Sequence, residues 1–499
     1  MHTVRMRPAP APTLALVFLC AALALVGASV ILPAVSELAL SSAILLAICG
    51  GLTQVRVVPW RMLIAAIIVV VLFVPIRRYV IGVEGPFQLE PYRLLLGLVL
   101  FGWVASLLAN DGVRLSRTGL EAPLALILIA TIASIAVNPA RVVNLEEDVI
   151  KSLAFFLSFL LFLYLLVSVV RSIAEIDYLL RVLVGGGVVI AVLAVVETRT
   201  GATPFNGLSA YLPFMELNPS FDPAINRGAR VRAFGPAEHP IALGALLAML
   251  IPAALYLARV GRSALWLGAT VVLLVGSLAT VSRTAILMLL AMVVFYAFVQ
   301  PRAVIRQWPL LIVLVVATHF VAPGTLGTLY EALTPEGGLI EQQRGAAGSV
   351  GSGRVADLGP SLDEWAERPV FGQGFGTRVT TGDSANAFIL DNQWLGTLLE
   401  LGLVGLVGWI WLFWWLIRRA GAAARSTASA TGDLAAALGA SVAAYAVGMF
   451  TFDAFSFIQV TLFMFFLMGL ACVALRLGAE EGAPRLRAAA VPQAEPVAS

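Results

Sequence analysis

Arginines beside long apolar runs are the first candidates for chemistry in this sequence. Arg230 and Arg232 lie shortly before one apolar run, and Arg283 lies directly between two others. A guanidinium offers paired donors to phosphate oxygens, so arginines at such boundaries could bind a diphosphate group. Two other roles stay open: an interfacial arginine can extend toward water, and Arg283 can pair with a carboxylate such as Asp453.

Two carboxylates near another apolar run are candidates for proton transfer. Asp391 lies at the start of the run, at the lipid boundary, where it could take a proton from a hydroxyl group or cap a helix. Glu400 follows nine residues later, about 13 Å further along a helix. A buried carboxylate is costly, so each needs a partner or a function. His239, which precedes Pro240, is a second candidate base.

Two acidic clusters have structural explanations. Asn144 and Glu147 have the spacing of a capping box, which predicts the start of a helix there rather than a metal site. Asp363 and Glu364 are adjacent and would not face each other on a helix. Their segment is predicted to form an amphipathic helix, because its apolar residues recur at helical spacing. These residues are Val355, Leu358, Leu362 and Trp365.

The elements that must position these residues are apolar helices. Of the 499 residues, 60% are hydrophobic and 12% are charged, against about 25% charged residues in a soluble domain. Many apolar runs could cross a hydrocarbon layer of about 30 Å. We therefore expect an all-α, polytopic membrane helix bundle of about 12–14 transmembrane helices. The runs are 13–32, 38–55, 62–76, 94–109, 122–137, 152–170, 178–196, 241–258, 264–281, 285–299, 310–321, 388–417, 434–450 and 457–475.

Arginine placement predicts which connections lie on each side of the membrane. Basic residues in short loops favour the cytoplasmic side. With both termini cytoplasmic, every inner connection is basic, and only Arg77 and Arg78 fall unexpectedly on the outer side. Long connections are usually functional or disordered, so the two long outer loops are predicted to carry the chemistry. The predicted divisions are 1–196 (amino-terminal helices), 197–240 (first long periplasmic loop), 241–321 (central helices), 322–387 (second long periplasmic loop), 388–476 (carboxy-terminal helices) and 477–499 (cytoplasmic tail).

Cytosolic nucleotide chemistry is not supported by the motifs. Residues 372–376 are glycine-rich but lack the Lys-Ser/Thr of a phosphate loop, so they are predicted to form a turn. The cysteines lie in apolar runs without CxxC spacing, so neither a disulfide framework nor a zinc site is indicated. They are Cys20, Cys49 and Cys472.

The order of these elements resembles the O-antigen ligase and O-antigen polymerase superfamily over about residues 229–406. The short motifs that carry the resemblance are 232–240, 281–285, Arg354 with Trp365, 368–376 and 392–402. The resemblance implies a bacterial inner-membrane enzyme of O-antigen or exopolysaccharide synthesis that moves a glycan from polyprenyl diphosphate to an acceptor hydroxyl on the extracytoplasmic side. Its expected partners are the lipid-linked donor, a glycan or lipid-linked acceptor and membrane lipid. A metal ion, another cofactor and nucleic acid are not expected.

The resemblance also suggests residue roles. Arginines that match Arg232 and Arg283 are thought to hold the diphosphate in the family. Family ligases usually have a His-Asn pair where this chain has Asp391 and Asn392, and the histidine is taken to activate the acceptor. Aspartate can remove the same proton, and the departure favours a polymerase, or a ligase with an acceptor other than lipid A. The predicted catalytic residues are Asp391, Arg283 and Arg232, and the predicted substrate-binding residues are Arg230, Glu238, His239, Arg354, Asn392, Gln393 and Glu400.

Single displacement at the anomeric carbon predicts inversion, and the resemblance implies a metal-independent transferase. Two other classes stay open at this point. A flippase or transporter of lipid-linked oligosaccharide would place its charges near the bilayer midplane on broken helices, often in inverted repeats. A noncatalytic scaffold for envelope assembly would not need an intramembrane arginine.

Overall fold

Apolar helices make up nearly all of the computed structural model, which describes residues 59–81, 90–109, 113–212, 215–218, 226–227, 230–306, 354–380, 382–426 and 430–489, with single positions between 309 and 344. In chain order the elements are α1 (Trp60–Phe73), β1 (Tyr79–Ile81), α2 (Pro91–Ala109), α3 (Glu121–Val137), α4 (Pro139–Asn144), α5 (Glu146–Val169), α6 (Ile173–Thr200), a 3₁₀ turn (Pro204–Gly207), α7 (Leu208–Tyr211), β2 (Met215–Leu217), β3 (Asn226–Arg227), β4 (Arg230–Val231), α8 (Pro240–Gly261), α9 (Ala264–Ala279), α10 (Arg283–Val299), α11 (Pro301–Arg306), α12 (Leu358–Glu367), α13 (Gln393–Ser426), α14 (Ala430–Gly448), a 3₁₀ turn (Ala454–Ser456) and α15 (Ile458–Ala489).

The prediction of an all-α membrane bundle is confirmed. Seven of the described helices, namely α2, α5, α6, α8, α13, α14 and α15, are long and apolar enough to cross a membrane. Every predicted run between residues 62 and 299, and each run between 388 and 475, overlaps one of the described helices. The predicted runs 13–32 and 38–55 and most of 310–321 lie outside the described residues. So do Cys20, Cys49 and much of the second long loop.

Helices α8 and α15 form the centre of the bundle, since 94% of the most apolar stretch of each helix is buried. Helix α8 packs against α6, α9, α10 and α14, and α15 packs against α5 and α14. Small residues allow the close approach on which packing between membrane helices depends. At Gly276 of α9, an added Cβ would lie 2.8 Å from the Cα of Ala191 in α6.

Short antiparallel strand pairs lie among the connections between helices. Strand β1 pairs with β2, and β3 pairs with β4. The β1–β2 pair is extended by Asn218, whose backbone N–H donates to the Arg78 carbonyl at 2.8 Å. The β1–β2 pair ties the connection after α1 to the first long loop, and β3 and β4 both lie within that loop.

Two sequence predictions about helix ends can be checked directly. The predicted capping box is wrong: Asn144 is the last residue of α4, and Leu145 precedes α5 without a side-chain cap. Pro139 starts α4 and so places Asn144 inside a helix. The amphipathic helix is confirmed as α12, although it begins at Leu358 rather than near Val355.

Hydrogen bonds join the helix connections at one end of the bundle, which we call the site end. Asn138 Nδ2 donates to the Gly372 carbonyl at 3.0 Å, and Arg78 Nη2 donates to the Gly235 carbonyl at 2.9 Å. The site end comprises the described parts of residues 74–90, 138–145, 201–239, 280–282, 354–392 and 449–457. All ten predicted site residues lie at this end or in the first turns of the helices that begin there.

Candidate functional site

A buried arginine contacts the tight reversal between α9 and α10. Arg232 is 5% exposed, and its Nε donates to the Thr280 carbonyl at 3.2 Å. Val281 has a φ of +49°, which is unusual for a β-branched residue, and Arg283 begins α10 two residues later. Backbone strain of this kind concentrates at functional sites. The fold thus places Arg232 against the turn that presents Arg283.

A second arginine contacts the predicted base. Arg354 Nη2 donates to Asp391 Oδ2 at 3.1 Å and to the Thr451 carbonyl at 2.9 Å. The Thr451 hydroxyl donates to the hydroxyl of Thr284, the residue after Arg283, at 2.9 Å. Asp391 is 8% exposed. Contacts through Arg354 and Thr451 therefore link Asp391 to the first turn of α10, although about a hundred residues separate them in sequence.

The residues after Asp391 start helix α13 and fix its position. Asn392 Oδ1 accepts from the Leu395 backbone N–H at 3.2 Å, as an N-cap does. The Gln393 side chain accepts from the Phe455 N–H at 2.7 Å and donates to Thr397 at 3.3 Å. Both amide groups are thus engaged within the protein, and they hold the backbone beside Asp391 in place.

The residues at the end of the first long loop are also anchored. His239 is the N-cap of α8: its Nδ1 accepts from the Ile241 N–H at 3.1 Å, and its ring stacks on Phe457. Glu238 is 6% exposed and lies 3.2 Å from Arg77 Nε. Burial raises the pKa of Glu238 to about 7, although Arg77 opposes this increase. Arg230 lies in β4, opposite Arg227.

The sequence did not assign a role to Arg77 or Arg78, and the structure gives both a position. Arg78 is buried, donates to the Gly235 and Ala237 carbonyls and lies 4.6 Å from the centre of the Phe234 ring. Burial lowers the pKa of Arg78 to about 10, so it stays charged at neutral pH. Arg77 has a φ of +63°. In the sequence, these two arginines are the exception to the pattern of basic inner connections. That exception was the signal that could have identified them.

A cavity of about 270 Å³ opens among α3, α5, α13, α15 and the 375–390 segment. We call it the aromatic cavity, because phenylalanines and Trp409 form much of its wall. Two predicted residues, Gln393 and Glu400, line it. Arg77, Arg378 and Asp453 also line it, and the sequence analysis did not place them there.

Helix α13 is broken beside this cavity. Gly402 has φ +66° and ψ −165°, and the backbone of residues 369–373 fills the break. The Leu403 N–H donates to the Pro369 carbonyl at 2.9 Å, and the Gln373 N–H donates to the Leu399 carbonyl at 2.8 Å. The loop thereby satisfies backbone groups that an interrupted membrane helix would otherwise leave unpaired. The glycine-rich segment is the turn that the sequence predicts, and it docks on α13 next to Glu400.

The comparisons with known proteins give one family. A family described as O-antigen ligase matches residues 268–410. The matched segment includes Arg283, Arg354, Asp391 and Glu400, whereas Arg232 lies before it. No curated protein sequence matches the chain.

Proposed function

We propose that this multi-pass membrane protein, whose residues 268–410 match the O-antigen ligase family, transfers a glycan from polyprenyl diphosphate to an acceptor hydroxyl during assembly of O-antigen or exopolysaccharide. We place the reaction on the extracytoplasmic side of the inner membrane, with both termini in the cytoplasm. The departure from the His-Asn pair favours polymerisation, or ligation to an acceptor other than lipid A.

One observation carries the proposal: contacts through Arg354 and Thr451 link Asp391 to Thr284, the residue after Arg283. Arg232 contacts the turn before Arg283, and Arg354 contacts Asp391 and Thr451. Three guanidinium groups and one carboxylate suit a reaction in which a diphosphate leaves and a hydroxyl loses its proton. Guanidinium groups and a carboxylate together support glycan transfer more directly than either kind of group would alone.

In the proposed reaction, the donor diphosphate binds between Arg232 and Arg283. Its negative charge also attracts the Arg354 guanidinium, which weakens the contact of Arg354 with Asp391. Asp391 then takes the proton of the acceptor hydroxyl, and the acceptor oxygen forms a bond to the anomeric carbon. The bond from that carbon to the diphosphate oxygen breaks, so polyprenyl diphosphate leaves with the electron pair and the anomeric configuration inverts.

The arginines supply electrostatic stabilisation in this scheme. Negative charge accumulates on the leaving diphosphate, and a preorganised donor at such a position contributes about 3–4 kcal/mol. No step in the scheme uses a metal ion. The strained Val281 supports a preorganised turn, since it holds α10 so that Arg283 starts the helix.

A transporter of lipid-linked oligosaccharide is the second candidate, because α13 is broken at Gly402 and Glu400 lies next to the break. Broken helices that carry charges are common at transport sites. The transferase is favoured, since the Arg232, Arg354 and Asp391 contacts gather in the connections at the site end rather than along the broken helix.

Reconstitution of the purified protein distinguishes these functions. The full chain is placed in liposomes with a synthetic polyprenyl diphosphate glycan, and both covalent product and donor translocation are measured. Transfer that is lost in Arg283→Ala but retained in Arg418→Ala, which changes an arginine in the last part of α13, supports the proposal. Translocation without transfer supports a flippase, and the absence of both supports a scaffold.

A further inference from the structure

The aromatic cavity combines ring faces with a few polar groups. Phe156 lies 5.9 Å from Phe375 and 6.3 Å from Trp409, measured between ring centres, and Trp409 lies 4.7 Å from Phe455. Small-molecule sites in proteins have this composition: mostly apolar walls with a few polar groups that fix orientation. The volume of about 270 Å³ suits a ligand of monosaccharide size.

The charges of the cavity distinguish it from a phosphate site. Its two arginines are already paired: Arg378 Nη1 lies 2.9 Å from both carboxylate oxygens of Glu364, and Arg77 lies 3.2 Å from Glu238. Two further carboxylates, Glu400 and Asp453, line the cavity itself. A dianionic headgroup would meet neutralised arginines and like charges there, whereas hydroxyl groups would find hydrogen-bond acceptors.

The cavity is also adjacent to the proposed base. Leu390 and Gln393, which flank Asp391 and Asn392, line the cavity, and Asp453 lies close enough to Asp391 for their charges to interact. A ring in the cavity would therefore have a hydroxyl group within reach of the segment that carries Asp391. The arginines proposed to hold the donor, Arg232 and Arg283, are not among the cavity-lining residues.

We propose that the aromatic cavity is the acceptor subsite and binds a neutral pyranose ring, whose hydroxyl groups donate to Glu400 and Asp453 and whose apolar face packs on the phenylalanine rings. This inference rests on the proposed function, because it assigns the second substrate of the same reaction. It separates the two substrates by chemistry: the anionic donor binds at Arg232 and Arg283, and the uncharged acceptor binds among carboxylates and aromatic rings.

Gly396 provides a test with a matched control. It lines the cavity from α13 with an ordinary helical backbone, and the nearest atom to an added Cβ is Gln393 Nε2 at 3.8 Å. Gly396→Ala should therefore be tolerated, and Gly396→Leu should fill the cavity. Phe388→Ala, which removes one ring from the wall, is a further variant that does not depend on how well the leucine is accommodated.

Binding is measured by saturation-transfer NMR on the full-length protein in nanodiscs, with methyl glycosides of neutral hexoses as probes. We expect saturation transfer to at least one probe, a loss of about tenfold in affinity for Gly396→Leu and for Phe388→Ala, and a change below about threefold for Gly396→Ala. Geranyl diphosphate binding should stay within about twofold of wild type in all three variants. Loss of diphosphate binding with intact glycoside binding would reverse the assignment of the two substrates and overturn the proposal.

The same measurements separate this inference from the proposed function. If the wild-type protein binds glycosides in the aromatic cavity, as judged by the loss in Gly396→Leu, but forms no product in liposomes, the assignment of the cavity as a sugar site stands and the transferase is wrong. If product forms and Gly396→Leu leaves the acceptor KM and glycoside binding unchanged, the transferase stands and the subsite is wrong. In a working transferase we expect Gly396→Leu to raise the acceptor KM about tenfold and to leave the donor KM unchanged.

Discussion

Arg354 and Asp391 form a partly buried ion pair, with Nη2 of the arginine 3.1 Å from Oδ2 of the aspartate. Such a pair holds the carboxylate in one orientation, and it also neutralises a group that must accept a proton in the proposed reaction. In the proposed reaction, substrate binding resolves this conflict, because the donor diphosphate would compete with Asp391 for the guanidinium. Under this proposal, the pair links occupancy of the donor site to activation of the acceptor.

Replacing the proposed base should remove most of the activity. Asp391→Asn keeps the shape of the side chain but cannot accept a proton, so we expect transfer to fall about 10²- to 10⁴-fold, the usual contribution of a general base. Asp391→Glu should recover part of the loss. The measurement is the initial rate of product formation in liposomes. The control is Asp363→Asn, which changes an exposed carboxylate on α12. Near-normal rates in Asp391→Asn would exclude Asp391 as the base.

Changing Arg354 should lower activity without abolishing it. Arg354→Ala removes a charge-assisted hydrogen bond to Asp391 and another to the Thr451 carbonyl. The loss of one such interaction costs about 1.5–3 kcal/mol, so kcat/KM should fall about 10- to 100-fold if only the bond to Asp391 affects the rate. Arg354→Lys should be intermediate, because lysine keeps the charge but not the planar pair of donors. The exposed Arg117→Ala is the control; an unchanged donor KM in Arg354→Ala would contradict a contact with the diphosphate.

The break in α13 predicts a stability difference between two glycines of one helix. A Cβ at Gly402 would lie 2.3 Å from the Val370 carbonyl oxygen, and its φ of +66° disfavours other residues. Gly402→Ala should therefore cost at least about 1–3 kcal/mol and lower the melting temperature in detergent. Gly396→Ala, on the intact first turns of the same helix, should leave the melting temperature unchanged or raise it. Equal melting temperatures for the two variants would contradict the docked loop.

The helices could be predicted from the sequence because lipid leaves few alternatives. Every backbone polar group in a hydrocarbon layer needs an internal partner, so an apolar run of sufficient length forms a helix. This reasoning located the long helices, namely α1, α2, α3, α5, α6, α8, α9, α10, α13, α14 and α15, but not the short helices α4 and α7. It also placed Arg283 and Asp391 at helix starts, because both stand where an apolar run begins.

The assembly of the site was less predictable, because distant segments form it. Arg78 contacts Gly235 across 157 positions, and no local pattern specifies that pair. The break at Gly402 has the same origin: the run around it contains no proline to mark a break, and the loop of residues 369–373 satisfies the broken backbone. Asp453 was considered only as a partner for Arg283, whereas the structure places it in the wall of the aromatic cavity.

The last prediction concerns pH and Glu238, whose carboxylate is buried against Arg77. Burial raises its pKa from an ordinary value of 4.5 to about 7 in the folded protein. A carboxyl with a higher pKa in the folded state favours folding when protonated, so its effect on stability becomes unfavourable as pH rises from about 4.5 to about 7. Glu238→Gln removes this titration. Relative to wild type, the melting temperature of Glu238→Gln should therefore increase as pH rises through this range and level off above about pH 7.

The comparison with wild type at each pH cancels the titration of all other groups, provided that they do not interact with Glu238. Arg77 lies 3.2 Å from the Glu238 carboxylate. The Glu90 charge also raises the pKa of Glu238, so these two carboxylates titrate together in the comparison. Glu216→Gln changes an exposed carboxylate in the same long loop and should show no pH-dependent difference. If wild type instead gained stability over Glu238→Gln with rising pH, the ion pair with Arg77 would outweigh the cost of burying the charge, and Glu238 would be ionised in the folded protein at neutral pH.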